Sequence, residues 1–226
     1  MDAKKIAANR AVDFIKDGMT VGLGSGSTAL YAIKKVGERV SQGLKIKAVA
    51  TSRTTEMLAK QFMIPVYDPS EIDRIDIAID GADQVDKKGN LIKGGGGSLL
   101  REKIIAFASE KFYVIIDDSK LREKLGGIAI PVEIIPFGET LTFKHMKAMG
   151  GDPVIRKVNE KTFITDNGHL IADCKFENIE DPALLDVKLK MIPGVIETGL
   201  FSSKIVTTIF SGSAGGAVAE IFINEY

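Results

Sequence analysis

The feature that most limits the possible folds is an alternation. Short runs that are apolar on both faces, at residues 19–23, 45–51, 75–79 and 112–116, take turns with helical patterns at about 29–40, 54–62 and 99–108. A strand buried on both faces belongs to a parallel sheet, and joining two parallel strands requires a crossover, usually a helix. The order therefore predicts an α/β domain whose parallel sheet is covered by helices on both faces. Ahead of it, Ala7, Ala11, Phe14 and Ile15 recur at helical spacing and predict an opening helix that stops at Asp17-Gly18. Residues 65–67 are short and extended.

Near Gly126-Gly127 the pattern changes. A strand is predicted over 128–135, a helix over 140–149 and extended chain over 154–158. A hairpin follows, with arms at 162–165 and 170–172 around Asp166-Asn167-Gly168, because Asn-Gly accepts the positive φ angles of a tight turn. A helix over 182–190 has Asp181 as its cap. That order is a small α+β unit. The tail, apolar and extended at 204–210 and 217–222, is expected to return to the first sheet. The expected division is one domain of residues 1–126 with 200–226 and a smaller one of 127–199.

Composition removes several function classes. Thirty basic residues balance thirty acidic ones, which leaves no overall field for gripping nucleic acid or an acidic membrane. No apolar run approaches the roughly 20 residues that span a bilayer, and no apolar stretch follows the N-terminal lysines as a secretory signal would. One cysteine, Cys174, permits no disulfide within the chain and is expected to be an inert packing residue. His145 and His169 are too few for a histidine metal centre. The expectation is a soluble cytoplasmic protein. Its 23 glycines are in excess, and their placement carries the information.

Ligands of open parallel sheets gather at the carboxyl ends of the strands, and three segments fall there. Gly24-Ser25-Gly26-Ser27-Thr28 lets backbone approach an anion and offers hydroxyls at a helix start, which suits a phosphate or, more plainly, a serine-capped turn. It lacks the lysine of a Walker loop and the third glycine of a dinucleotide fingerprint. Asp80-Gly81-Ala82-Asp83 sets two carboxylates three residues apart, an acid–base pair or an ordinary turn. Lys93-Gly94-Gly95-Gly96-Gly97-Ser98 leads into a helix, and four consecutive glycines cost enough backbone entropy to favour an anion site over a mere hinge. On that helix Glu102 stands among apolar neighbours, a candidate general base or a solvated glutamate paired with Arg101 or Lys103. Lys120 follows a strand and could reach the same cleft; Lys4 and Arg53 could add charge.

These segments, in this order, closely resemble type A ribose-5-phosphate isomerases. Asp118-Ser119-Lys120, Pro131-Val132-Glu133 and Pro193-Gly194-Val195-Ile196-Glu197 extend the likeness over nearly the whole chain. Ser25 replaces the usual threonine, Gln84 the usual glutamate, and Thr51-Ser52-Arg53 departs from a serine-rich run, which leaves Arg53 out of the site. The resemblance implies a Rossmann-like domain carrying a smaller ferredoxin-like one, in a homodimer or homotetramer. It implies interconversion of ribose 5-phosphate and ribulose 5-phosphate in the non-oxidative pentose phosphate pathway, without metal or cofactor. Glu102, Asp80, Asp83 and Lys93 would be catalytic. Ser25, Gly26, Ser27, Thr28, Gly81, Ala82, Gly94, Gly95, Gly96, Lys120 and Lys4 would contact substrate. Two rivals remain: a non-catalytic sugar-phosphate sensor, and a coenzyme A transferase-like enzyme using a glutamate such as Glu197.

Overall fold

The structure, a computed structural model, describes residues 2–224. In chain order the longer elements are α1 (Ala3–Val12), β1 (Thr20–Leu23), α2 (Gly26–Ser41), β2 (Lys47–Ala50), α3 (Arg53–Gln61), β3 (Ile75–Gly81), α4 (Leu99–Ala108), β4 (Ser109–Asp117), β5 (Ile130–Ile134), α5 (Glu139–Ala148), β6 (Gly151–Ile155), β7 (Leu170–Phe176), α6 (Pro182–Lys190), β8 (Val195–Thr198), β9 (Thr208–Gly212) and β10 (Val218–Phe222). Contacts divide them into two compact units. The first holds Met1–Ala82, Arg101–Leu121 and Ser203–Tyr226; the second holds Asp83–Leu100 and Arg122–Ser202.

The first unit is built on a six-stranded sheet in the order β10-β9-β4-β3-β1-β2, parallel except for β10. The tail returns to this sheet as expected. Alternation along β1 explains why helices cover both faces. Val21 and Leu23 join a core with Ala7 and Ala11 of α1 and Ile33 and Val36 of α2. Gly22, pointing the other way, leaves just enough room for Ile105 of α4 and Ala78 of β3. The opening helix ends earlier than its periodicity predicts, at Val12. Phe14 lies past it and packs at 5.5 Å edge-on to Tyr113 and at 5.6 Å to Phe210. Its apolar spacing serves an aromatic cluster rather than a helical face.

The second unit contains a four-stranded antiparallel sheet in the order β8-β5-β7-β6. Met146 of α5 and Leu189 of α6 share a core with Ile130, Val132 and Ile134 of β5. Helix α6 starts as the sequence predicts, with Pro182 in its first turn and the Asp181 side chain accepting from the Leu184 N–H at 3.0 Å. Residues 83–100, expected with the first domain, group with the second unit. There the short strands Gln84–Asp86 and Leu91–Ile92 pair with each other, and the latter pairs with Leu200–Phe201. Two- and three-residue strands leave no alternation to detect.

The hairpin turn forms where Asn167-Gly168 predicts it: the Gly168 N–H donates to Thr165 O (3.0 Å), the Thr165 N–H to His169 O (2.9 Å), Gly168 takes positive φ (82°), and the arms meet in a single bridge, Ile164 to Leu170. A second, two-residue hairpin that the sequence reading did not find joins Lys157–Val158 to Lys161–Thr162, with Asn159 and Glu160 at positive φ (50° and 62°). The first loop is held further by Glu133, a fully buried carboxylate whose Oε1 accepts from Thr165 Oγ1 (2.9 Å), Asn167 Nδ2 (3.2 Å) and His169 Nδ1 (2.9 Å). His169, which the sequence leaves without a visible partner, has one.

Candidate active site

In the first unit the predicted residues assemble at the carboxyl edge of the parallel sheet. Strand β3 runs on through Gly81, so Asp80 is a strand residue and not part of a turn. Its side chain is 3% exposed, and Oδ1 accepts from the Ser25 N–H (3.0 Å) and the Gly81 N–H (2.7 Å). Gly24, between β1 and α2, is glycine because a β-carbon there would occupy the volume of the Asp80 carboxylate. Its N–H donates to Ile79 O at 2.9 Å, which fixes the β1 loop against the end of β3.

Helix α2 starts at Gly26, so Gly26, Ser27 and Thr28 form its first turn, where backbone N–H groups lack intrahelical acceptors. Ser25 does not cap the helix with its side chain. Its hydroxyl instead lies 2.7 Å from Thr51 Oγ1, 2.9 Å from Ser52 Oγ and 3.1 Å from Thr55 Oγ1, and Thr55 Oγ1 donates to Gly24 O at 2.9 Å. Sequence reading missed this network because its members come from three elements. Thr51, Ser52 and Thr55 are buried and spend their hydroxyls on the loop, which leaves the α2 N-terminus open to an anion. Lys4 Nζ, from α1, reaches Ser27 Oγ at 3.2 Å and adds positive charge at that end.

Glu102 lies in the first turn of α4 and is 5% exposed. Helix α4 runs directly into β4 at Ser109, so its C-terminus is at the amino edge of the sheet and its first turn at the carboxyl edge. Three residues after Glu102, Ile105 covers Gly22 and sets the inward face of the helix. The solvated-glutamate reading of Glu102 does not survive this burial. Lys120 ends a 3-10 turn, Asp118–Lys120, that follows β4 at the same edge and is partly exposed.

The second unit holds the remaining residues. Lys93 is 3% exposed; its N–H donates to Gly199 O at 2.8 Å and its Nζ stands 5.4 Å from the Phe201 ring centre. The glycine run folds into a turn closed by Gly97 N–H to Gly94 O at 2.9 Å, with φ of 95° at Gly94 and 82° at Gly97. Asp83 Oδ2 accepts the Gly95 N–H at 2.9 Å. Gln84, where the resembling family has glutamate, donates to Gly126 O (2.8 Å) and accepts the Gly126 N–H (3.0 Å). A carboxylate could make only the second bond, so the amide suits this position better. Ala82 and Asp83 are consecutive, so chain continuity keeps Asp83 within three residues of Asp80.

Other groups carry less chemistry. Burial pushes the Cys174 thiol up to about 12, so it stays a neutral packing residue at any ordinary pH. His145 is exposed on α5. Glu197 is 7% exposed and bound by Lys190 Nζ at 2.8 Å, a poor position for a nucleophile. A cavity of about 440 Å³ opens beside Ser52, Glu56, Tyr67, Asp68 and Arg101, but no predicted site residue lines it. The chemistry is therefore read from the sheet edge and the glycine turn rather than from that cavity. Among the described residues no three His, Cys, Asp or Glu side chains converge as a metal-binding group, and no helix is long and apolar enough to cross a membrane.

Residues 47–216 match the family model described as ribose 5-phosphate isomerase A (phosphoriboisomerase A). A ribose-5-phosphate isomerase A from Bacillus mycoides (strain KBAB4) is 50% identical over 202 residues, covering 89% of this chain and 91% of that protein. Among solved structures, ribose 5-phosphate isomerase A from Methanocaldococcus jannaschii superposes with a TM-score of 0.93 at 40% identity, covering 98% of both chains. A D-ribose-5-phosphate isomerase in complex with phospho-erythronic acid gives the same TM-score at 39% identity, also over 98% of both.

Proposed function

The chain belongs to the ribose 5-phosphate isomerase A family, and from that premise we infer how its own residues perform the reaction. It is an aldose–ketose isomerase that interconverts D-ribose 5-phosphate and D-ribulose 5-phosphate, consistent with the non-oxidative branch of the pentose phosphate pathway. The observation that carries the assignment of roles is Glu102, a buried carboxylate at the substrate edge of the sheet in the first turn of its helix.

Moving a carbonyl from C1 to C2 requires one proton to leave C2, one to arrive at C1, and one to pass between the two oxygens. Glu102 takes the C2 proton and returns it to C1 through a cis-enediol, acting in turn as base and acid. Asp80 and Asp83 open the furanose ring and relay the hydroxyl proton. Both have an oxygen already oriented by backbone N–H donors, Ser25 and Gly81 for the first and Gly95 for the second. Lys93 and N–H groups of the glycine turn stabilise the charge that develops on oxygen, the electrostatic contribution that is usually the largest. Gly94, Gly95 and Gly96 contact the sugar, and Gly81 and Ala82 are further substrate contacts.

The phosphate binds at the α2 N-terminus, on the N–H groups of Gly26, Ser27 and Thr28, with Lys4 pairing its charge and Ser25 holding the loop shape. The support is the open helix end and the Lys4–Ser27 contact. Lys120 contacts the substrate from the turn after β4. No metal or cofactor takes part. The protein acts in the cytoplasm as a homodimer or homotetramer, a state that light scattering on the eluting species measures directly.

The test is ketose formation from ribose 5-phosphate with a chelator present throughout. Full turnover is expected. Activity that the chelator removes and a divalent ion restores would transfer the polarising role from Lys93 to a metal, and a chain that binds the sugar without turnover would be a sensor.

A further inference from the structure

We propose that Arg156, which the reaction assignments above leave unused, is a positioning residue that aims the glycine turn at the substrate. The proposal rests on the reading that this turn lines the sugar. Arg156 follows β6 and is tied at both backbone groups, its N–H to Ile171 O (2.8 Å) and its carbonyl to the Phe163 N–H (2.9 Å). Its guanidinium is divided between two tasks. Nε and Nη2 form a two-pronged pair with Asp173 of β7, at 2.9 Å and 2.5 Å. Nη1 donates to the carbonyls of Gly94 (2.8 Å) and Gly95 (3.0 Å). The side chain is only 12% exposed.

Peptide planarity gives this clamp its consequence. In a trans peptide the carbonyl of one residue and the N–H of the next point in opposite directions. Pinning the Gly94 carbonyl therefore turns the Gly95 N–H away from Arg156, and that N–H meets Asp83 Oδ2 at 2.9 Å. Pinning the Gly95 carbonyl turns the Gly96 N–H the same way. A β-carbon on Gly96 would meet nothing within 4 Å, so there is open space beside this residue of the turn. A four-glycine segment has no side chains to hold one conformation, and the fixed guanidinium supplies the restraint that its sequence lacks. Only a planar fork reaches Asp173 and both carbonyls together; a lysine ammonium carries the charge without the geometry.

The test compares the full-length chain with Arg156→Met, Arg156→Lys and Asp173→Asn. Each is measured for kcat and KM with ribose 5-phosphate, for the Kd of phospho-erythronic acid, whose carboxylate carries charge where the enediolate develops it, and for melting temperature. Displacing the donors by even an ångström is expected to lower kcat by about 10- to 100-fold in Arg156→Met, with a matching loss of phospho-erythronate affinity and a KM within about threefold of wild type. Arg156→Lys is expected to resemble Arg156→Met, and Asp173→Asn to fall between. A residue that merely stabilises the fold would lower the melting temperature and leave this split absent. If Arg156→Met does not fold, the lysine and asparagine variants carry the same comparison. Folded variants with kcat and phospho-erythronate affinity within about twofold of wild type overturn the positioning role. A wild-type chain that fails to isomerise ribose 5-phosphate overturns the isomerase reading, and this role with it.

Discussion

Replacing Glu102 by glutamine is expected to lower kcat for ribose 5-phosphate by about 10²- to 10⁴-fold, with little change in KM. The substitution keeps size, shape and the capacity to hydrogen bond, and removes only the basic oxygen that takes the C2 proton. Glu102 is 5% exposed in the first turn of α4, one turn before the Ile105 that packs on Gly22, so the glutamine side chain has no room to adopt a different path. Bulk water is poorly placed to substitute as base at so buried a position. The melting temperature separates loss of chemistry from loss of fold and should move by only a few degrees. Retention of turnover within about threefold would assign proton transfer to another group.

Gly24→Ala is expected to reduce kcat/KM by at least about 10²-fold while lowering stability by about 1–3 kcal/mol. The added methyl falls on the Asp80 carboxylate. The backbone cannot yield, because β1 and β3 are paired in register through Leu23 and Ile79, and the Gly24 N–H is bound to Ile79 O. The carboxylate must therefore swing out of its two N–H bonds to Ser25 and Gly81, which costs free energy in a buried setting and moves a group assigned to ring opening. If Gly24→Ala proved as active and as stable as the wild-type chain, the Asp80 arrangement would not matter to the reaction.

What the sequence made legible was local. The helix at Leu99–Ala108 and the Asp181-capped helix at Pro182–Lys190 are written in nearest neighbours, through apolar spacing, a capping aspartate and a proline in the first turn. The Gly24–Thr28 segment could be read because it lies at a strand-to-helix junction, where a parallel sheet collects its ligands. The features that hold those residues in place join distant segments and leave no local trace. Arg156 lies 61 and 62 positions from the carbonyls it binds, Thr55 31 positions from Gly24, and His169 36 from Glu133. The Asn167-Gly168 signal placed its turn, with Gly168 at positive φ, but not the turn's support, because Glu133 lies 34 positions from the Asn167 side chain it binds.

The central claim is that a single carboxylate moves the substrate proton between neighbouring carbons through an enediol. Running the isomerisation in deuterium oxide and following C1 of the ketose by proton NMR tests it most directly. The account predicts deuterium at C1 of ribulose 5-phosphate and, on reversal, at C2 of ribose 5-phosphate, with both incorporations lost in Glu102→Gln. Wild-type incorporation that persisted at an unchanged rate in Glu102→Gln would mean that another group moves the proton, and would contradict it.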